Sequence, residues 1–173
     1  MLEVDTLENK TFLDIGSGSG LYSLAARRMG AKVHSFDYDP QSVHCTTELK
    51  RRYFPDDGDW KIESGDALDQ KYLNNLGKFD VVYSWGVIHH SENTEEIISE
   101  ILRILKPGGV FLGMIYHRRS IHALNLWIKN GLLKGRPWRS FQYVLYHFNE
   151  SFASKAYTFN EAKKLFSSFE SCK

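Results

Sequence analysis

The sequence of 173 residues has few cysteines and no long hydrophobic run. Its two cysteines, Cys45 and Cys172, are far apart and form neither a metal-ligand nor a redox spacing. This predicts a reducing compartment, the cytoplasm, and no metal site. No stretch is apolar enough and long enough to span a bilayer, and the first ten residues carry acids where a secretory signal needs bases. We therefore expect neither a membrane span nor a secretory signal.

Acidic residues are missing between Glu100 and Glu150. The net charge of the whole chain is only +1. The region between the two acids nevertheless contains eight bases: Arg103, Lys106, Arg118, Arg119, Lys129, Lys134, Arg136 and Arg139. Aromatic residues are interleaved with these bases. The pattern is typical either of a solvated protein face or of a surface that contacts an anionic partner.

Short β-rich runs alternate with helical stretches along the chain, which predicts a parallel sheet covered by helices. The expected strands are residues 10–15, 32–37, 60–64, 79–84 and 110–116. The segment "KPGG" before the fifth strand is expected to stop a helix. The fold class is therefore α/β, with a doubly wound, Rossmann-like and mostly parallel sheet. At this length we expect a single domain over residues 1–173.

The alternation of strands lapses after the fifth strand. The sequence pattern over residues 117–157 predicts two helices. We expect them to form an insertion that covers the substrate. The following segment "TFNEAKKLF" begins with a capping box formed by Thr158 and Glu161. The final "FESCK" is typical of a strand that has only begun. We therefore expect a domain truncated at both ends, with an exposed sheet edge that favours self-association.

The stretch "FLDIGSGSG" lies between the first strand and the first helix, the context that a cofactor turn requires. Gly16, Gly18 and Gly20 would let a ligand approach the backbone closely. The spacing differs from the dinucleotide pattern G-x-G-x-x-G, because Leu21 stands at the place of its third glycine. A buried acid at Asp14 would repel a pyrophosphate but suits a ligand that carries an ammonium group.

Three more strands end in residues suited to a nucleoside. Asp37 ends the second strand, where a carboxylate can accept hydrogen bonds from both ribose hydroxyls. Asp66 follows the third strand, and the fourth strand delivers Ser84 and Trp85. The carboxyl ends of parallel strands meet at one edge of a sheet, so these residues are expected to share one crevice.

Five motifs in this order carry a family resemblance: "FLDIGSGSG", "SFDYD", "SGDAL", "FDVVYSWGVIHH" and "LKPGGVF". From about residue 10 to residue 116, the sequence resembles the class I S-adenosylmethionine-dependent methyltransferases of the bacterial small-molecule group. The resemblance implies the sheet order 3-2-1-4-5, with the later strands of the family missing. It also implies S-adenosyl-L-methionine as cofactor and a small molecule as methyl acceptor.

The resemblance assigns roles to individual residues of this sequence. Its cofactor residues are Asp14, Gly16, Ser17, Gly18 and Gly20 for the methionine part, Asp37 for the ribose, and Tyr38, Asp66 and Ala67 for the adenine. Ser84 and Trp85 are added as cofactor residues because the end of strand four lies at the same edge of the sheet. His89 and His90 follow the loop where a catalytic base would sit, because histidine titrates near neutral pH. Packing within the loop is an equally open interpretation of the two histidines.

The acceptor side is predicted from the residues that follow strand five. Tyr116, His117, Arg118 and Arg119 lie closest to the end of that strand. Arginine can hold a carboxylate or phosphate through two parallel hydrogen bonds, which predicts an acidic acceptor. The alternative is that these arginines point into solvent.

Three other functions are alternatives to methyl transfer to a small molecule. The glycine spacing argues against a nicotinamide-dependent oxidoreductase. A non-catalytic module that binds adenosylmethionine stays open. A nucleic-acid methyltransferase is suggested by the basic, aromatic stretch, but the loop after strand four lacks an "NPPY"-like pattern. The sequence indicates no oligomeric state.

Overall fold

The computed structural model describes residues 6–91, 93–149 and 155–171. They form two compact units. The first unit contains the described residues up to Trp85 together with residues 99–113, and the second contains residues 86–98 and those from Met114 onward. The second unit thus includes the predicted insertion and also residues that precede strand five.

The first unit is built on five strands, and three helices lie wholly within it. The strands are β1 (Thr11–Ile15), β2 (Lys32–Asp37), β3 (Trp60–Ser64), β4 (Phe79–Trp85) and β5 (Leu105–Met114, with Met114 in the second unit). The helices are α1 (Leu21–Arg28), α2 (Pro40–Tyr53) and α3 (Gln70–Asn74). Helix α4 (Thr94–Ile104) begins in the second unit and ends in the first.

The strand order of the sheet is β3-β2-β1-β4-β5, as the sequence predicted. The pairs β1–β2, β1–β4 and β2–β3 are parallel. Strands β1, β2 and β4 are rich in fully buried apolar residues because helices cover such a sheet on both faces. This register brings the ends of β1 and β2 side by side, with Ile15 opposite Phe36. The glycine turn and Asp37 therefore lie at the same edge of the sheet.

Helix α2 begins where the sequence predicted. The Asp39 carboxylate caps it by accepting hydrogen bonds from the amides of Gln41 and Ser42, and Pro40 occupies the first helical position. Asp39 fills the capping role, so Asp37 at the end of β2 is not needed for it.

The predicted start of β5 at residue 110 is wrong. The strand begins at Leu105, directly after α4, and includes "KPGG". Lys106 explains the difference, because its ammonium group lies 2.7 Å from a carboxylate oxygen of Asp80 on β4. Gly109 allows close pairing, since a Cβ there would lie 3.2 Å from the Asp80 carbonyl oxygen. The strand also ends earlier than predicted, at Met114.

The second unit holds two short strands and several helices. They are a 3-10 helix (Ile88–His90), β6 (Tyr116–His117), α5 (Ile121–Trp127), a π-helix (Ile128–Leu132), α6 (Phe141–Phe148), β7 (Ala156–Tyr157) and α7 (Phe159–Leu165). Strands β6 and β7 pair in parallel, and Ala123, Leu145 and Ala156 form a small core. Helices α5 and α6 agree with the two helices expected in this segment.

The end of the chain agrees only in part with the prediction. The capping box of Thr158 and Glu161 is present at the start of α7. The strand predicted at "FESCK" is wrong as far as the structure describes it, because residues 169–171 form no strand and residues 172–173 lie outside the described part. Among the described residues, no helix combines the length and apolar character needed to cross a bilayer.

Candidate functional site

The turn between β1 and α1 contains three glycines with positive φ angles: 73° at Gly16, 53° at Gly18 and 77° at Gly20. Residues with a Cβ rarely adopt this conformation. A Cβ on Gly18 would meet no atom within 4 Å, so this glycine faces open space. A Cβ on Gly20 would lie 2.9 Å from the Thr46 side chain. The turn therefore exposes bare backbone at Gly18 and packs tightly against α2 at Gly20.

Thr46 of α2 holds this turn in place, although no motif in the sequence indicates this role. Its fully buried hydroxyl donates to the Gly18 carbonyl oxygen over 3.3 Å and lies 3.1 Å from the hydroxyl oxygen of Ser17. Ser17, a predicted cofactor residue, is itself only 7% exposed. A threonine inside a helix often bonds its own helix, so its presence alone predicts no contact with the turn.

Asp37 reaches the glycine turn from the end of β2. One carboxylate oxygen accepts a hydrogen bond of 2.9 Å from the Gly18 amide, and the other accepts one of 3.0 Å from the Asp39 amide. A carboxylate has about four lone-pair positions, so each oxygen retains acceptor capacity. The side chain is half-buried, and it therefore has both a fixed orientation and a free edge for a ligand.

Asp14 lies inside the fold, with 2% of its surface exposed. The Ser23 hydroxyl donates a hydrogen bond of 2.5 Å to its carboxylate. Burial raises the pKa of Asp14 to about 6, the Ser23 hydrogen bond opposes this rise, and the negative charge of Asp37 adds to it. No lysine or arginine in the described part of the chain compensates this carboxylate. Asp14 is thus a buried anion at neutral pH without a cationic partner.

The adenine residues predicted from the resemblance follow β2 and β3. Tyr38 is 77% exposed, so its ring is accessible to a ligand. Asp66 accepts a hydrogen bond of 2.8 Å from the Leu68 amide and, like Ala67, is half-buried. The Gly65 amide donates to the carbonyl oxygen of Asp37, which brings the loop after β3 next to the end of β2.

The two residues predicted at the end of β4 have different surroundings. Ser84 is fully buried, and its hydroxyl donates to the Ile15 carbonyl oxygen over 3.3 Å. This side chain links β4 to β1 and does not face solvent. Trp85 is 50% exposed, and its ring stacks on that of Tyr83 with 6.1 Å between their centroids. Trp85 is thus the accessible member of the pair.

The second unit brings His89, His90 and Tyr116 together. The His89 ring is fully buried and lies 4.2 Å from the rings of both His90 and Tyr116, measured between centroids. Its Nδ1 donates to the Met114 carbonyl oxygen over 3.3 Å, and this assigns the proton to Nδ1 because a carbonyl only accepts. Burial lowers the pKa of His89 to about 4, so the ring is neutral at pH 7. Its buried Nε2 has no hydrogen-bond partner in the described structure.

The two predicted arginines differ in their contacts. Arg118 donates to the Ala156 carbonyl oxygen and forms an ion pair of 2.8 Å with Glu161. Its charge is therefore already compensated within the second unit. Arg119 is exposed and forms no ion pair among the residues that the structure describes. His117 is exposed and pairs with Tyr157 through the backbone of β6.

A Rossmann-like sheet with a glycine turn after β1 and an acid after β2 defines a nucleoside-binding fold. Residues 13–113 match the family described as "Methyltransferase domain". The chain belongs to this family, the class I S-adenosylmethionine-dependent methyltransferases, whose cofactor is S-adenosylmethionine. The prediction from the five motifs is thus confirmed.

The names of similar proteins refer to different kinds of methyl acceptor. The chain is 37% identical over 139 residues to the ribosomal protein L11 methyltransferase of Prochlorococcus marinus. This alignment covers 75% of this chain and 45% of the relative. It is 32% identical over 113 residues to a ubiquinone biosynthesis O-methyltransferase of Paramagnetospirillum magneticum, covering 65% of this chain and 43% of that protein. The chain therefore spans less than half the length of these two relatives.

A solved structure supports the fold over nearly the whole chain. Magnesium protoporphyrin IX methyltransferase from Synechocystis, crystallised with S-adenosylhomocysteine, superposes with a TM-score of 0.68. The match covers 93% of this chain and 64% of the other. Sequence identity is 16%, so the similarity establishes the fold and no more.

Proposed function

We propose that this chain transfers a methyl group from S-adenosylmethionine to a small-molecule acceptor. The observation that carries the proposal is the buried Asp14 carboxylate, which has no cationic partner in the described structure and lies beside the glycine turn. An uncompensated buried charge is unfavourable, and the ammonium group of the cofactor would supply the missing positive charge. The open space at Gly18 leaves room for the same part of the cofactor.

The nucleoside end of the cofactor fits the residues after β2 and β3. Asp37 would accept hydrogen bonds from the ribose hydroxyls through its free lone pairs, while its bonds to Gly18 and Asp39 hold the carboxylate still. Tyr38 offers an exposed ring for the adenine, and Asp66 with Ala67 would meet its edge. Ser84 acts in this proposal by holding β4 against β1.

When bound, S-adenosylmethionine supplies an electrophilic methyl group on a sulfonium centre. The residues of the chain then need chiefly to orient the acceptor, a contribution that can lower the barrier by several kcal/mol, roughly 7 to 11 in the best intramolecular cases. His89 is a weak base because burial lowers its pKa to about 4, and its ring is fully buried, so this proposal does not assign it the removal of a proton. Proton removal by His90 stays a prediction from the sequence.

The acceptor that we propose is a small molecule with an anionic group. One relative is named for ubiquinone biosynthesis and another for 2-methyl-6-phytyl-1,4-hydroquinone, and both names refer to small molecules. Arg119 would bind the anion, because it is exposed and its charge is not compensated by the described residues. Arg118 would instead keep β7 and α7 in place through Ala156 and Glu161.

Asp37→Ala should weaken binding of S-adenosylhomocysteine by about tenfold or more, because the ribose would lose a charged acceptor worth about 1.5 to 3 kcal/mol. Isothermal titration calorimetry measures this affinity. The matched control is Asp39→Ala, which removes a neighbouring exposed carboxylate that caps α2. It should lower the melting temperature while leaving the affinity unchanged.

The assignment of Asp37 is contradicted if Asp37→Ala retains affinity within a factor of two, or if both variants weaken binding equally.

Turnover of S-adenosylmethionine separates the enzyme from a non-catalytic binding module. A protein that binds S-adenosylhomocysteine normally, yet transfers no methyl group to a broad panel of small hydroxylated and aminated acids, would support the module.

Arg119→Gln should raise the KM for an anionic acceptor by about tenfold, since a charged hydrogen bond is worth about 1.5 to 3 kcal/mol. Hydroxybenzoates are suitable first probes, because they combine a phenol with a carboxylate. The affinity for S-adenosylhomocysteine should not change.

Arg118→Gln is the matched control for this experiment. It should lower the melting temperature, through loss of the contacts with Ala156 and Glu161, without raising the acceptor KM. A larger KM effect in Arg118→Gln than in Arg119→Gln would reverse the assignment. An acceptor without any anionic group would exclude it.

A further inference from the structure

A chain of buried polar side chains crosses the first unit and ends at Asp14. It begins at Trp60 on β3, whose indole nitrogen lies 2.9 Å from the hydroxyl oxygen of Ser35 on β2. The Ser35 oxygen lies 2.7 Å from that of Ser23 on α1, and Ser23 lies 2.5 Å from the Asp14 carboxylate on β1. Trp60, Ser35 and Ser23 have no exposed surface. Four separate elements thus contribute to one continuous hydrogen-bonded chain.

The direction of every hydrogen bond in this chain follows from its two ends. The indole N–H of Trp60 can only donate, and an ionised Asp14 can only accept. Ser23 therefore donates its single hydroxyl proton to Asp14, and Ser35 must donate its own proton to Ser23. All three donors point toward the carboxylate, and such aligned hydrogen bonds strengthen one another.

Protonation of Asp14 would weaken this chain in either of two arrangements. If the proton lies on the other carboxyl oxygen, Oδ2 still accepts from Ser23, but this acceptor no longer carries a charge and the hydrogen bond is weaker. If the carboxyl O–H donates to Ser23 instead, Ser23 turns its proton toward Ser35, and the Ser35 proton loses its acceptor among the described residues, where Ser35 contacts Trp60 and Ser23. The donors of the chain, with the indole at its far end, therefore favour the anionic form of Asp14.

We propose that Trp60, Ser35 and Ser23 form a positioning relay that presents the Asp14 carboxylate as an anion to the ammonium group of the cofactor. The inference rests on the proposed function of Asp14. It adds residues from β3, β2 and α1 that do not touch the cofactor themselves. Two further titratable groups act on Asp14: the Asp37 carboxylate disfavours its ionisation, and Tyr83 is neutral because burial raises its pKa. Burial and the Asp37 charge both raise the pKa of Asp14, and the relay opposes this rise because it stabilises the anion.

Trp60→Phe tests the relay because it removes the indole N–H and keeps an aromatic ring. The probes are S-adenosylhomocysteine and its deaminated analogue, which lacks only the ammonium group, titrated by calorimetry between pH 5 and pH 8. In the unsubstituted protein, only S-adenosylhomocysteine should lose affinity as the pH falls through 6. In Trp60→Phe this loss should begin about one pH unit higher, which is roughly a fivefold weaker affinity at pH 6. The deaminated analogue should bind both proteins alike.

Two further variants separate the relay from simple packing. Phe54→Leu alters the ring that packs against Trp60, with 6.3 Å between centroids, and leaves the N–H in place. It should not move the pH dependence. Ser35→Ala interrupts the chain at its middle and should move it in the same direction as Trp60→Phe.

Asp14→Asn distinguishes failure of the relay from failure of the proposed function. If Asp14→Asn loses affinity for S-adenosylhomocysteine and not for the deaminated analogue, Asp14 does bind the ammonium group. An unchanged pH dependence in Trp60→Phe and Ser35→Ala would then overturn the relay alone. If Asp14→Asn affects both ligands equally, the role of Asp14 itself is wrong, and the relay falls with it.

Discussion

Asp14→Asn should stabilise the cofactor-free protein at pH 7.5 and weaken its binding of S-adenosylhomocysteine. The pKa of Asp14 is about 6 in the fold and 3.8 in the unfolded chain, because burial disfavours the charged carboxylate. A raised pKa means that the contribution of this group to stability is complete below about pH 4 and is lost as the pH rises through 6. The difference corresponds to about 3 kcal/mol of unfolding free energy at pH 7.5.

Urea unfolding at pH 4 and pH 7.5 measures this effect. Asparagine is neutral at both values, so the two proteins should be similar in stability at pH 4 and Asp14→Asn should be the more stable one at pH 7.5. Its affinity for S-adenosylhomocysteine should fall by about tenfold or more at pH 7.5, by loss of a charge-assisted contact. A variant less stable than the parent at both pH values would contradict the assignment of an uncompensated anion.

Gly18→Ala and Gly20→Ala should have different consequences although both positions have positive φ. The backbone conformation costs an alanine about 1 to 2 kcal/mol in either place. At Gly18 the new methyl group enters open space, so the fold should survive and the affinity for S-adenosylhomocysteine should fall. At Gly20 it meets the Thr46 side chain and a Thr46 backbone atom at 3.0 Å, which adds a further 1 to 3 kcal/mol, roughly, of overpacking strain.

Thermal unfolding and calorimetric titration together separate the two outcomes. Gly20→Ala should show the larger loss of melting temperature, and Thr46→Ser in that background should recover part of it, because the Thr46 methyl group is one of the colliding atoms. Gly18→Val, with a bulkier group in the open space, should bind S-adenosylhomocysteine more weakly than Gly18→Ala. Unchanged affinity in a folded Gly18→Val protein would mean that the cofactor does not pass this glycine.

Secondary-structure elements that depend on nearby residues were predicted correctly, whereas those that depend on residues far away in the sequence were not. Strands β2 and β3 begin and end at the predicted residues, and the caps at Asp39 and Thr158 form as expected. These features depend on contacts within a few residues of sequence. The start of β5 was predicted wrongly because it depends on Asp80, which lies 26 residues away from Lys106.

The residues of the candidate site also differ in how far the sequence could predict them. The glycine turn and Asp37 could be found from the sequence, because the edge of a parallel sheet follows from strand order alone. Thr46 could not be found, since its hydroxyl meets Gly18 across 28 residues of sequence. The pairing of Arg118 with Glu161, 43 residues apart, was equally hidden, and it separates the two arginines that the sequence treated alike.

The five sequence motifs were enough to identify the family, and the resemblance to that family implied the sheet order and the edge of the sheet where the predicted cofactor residues lie. The strands, the helix caps and the glycine turn that contain these motifs are local features of the sequence. The state of each predicted site residue, in contrast, depends on tertiary contacts. Asp14 is a buried anion, Ser84 is a structural link and His89 is a neutral ring because packing between distant elements sets desolvation and hydrogen-bond partners.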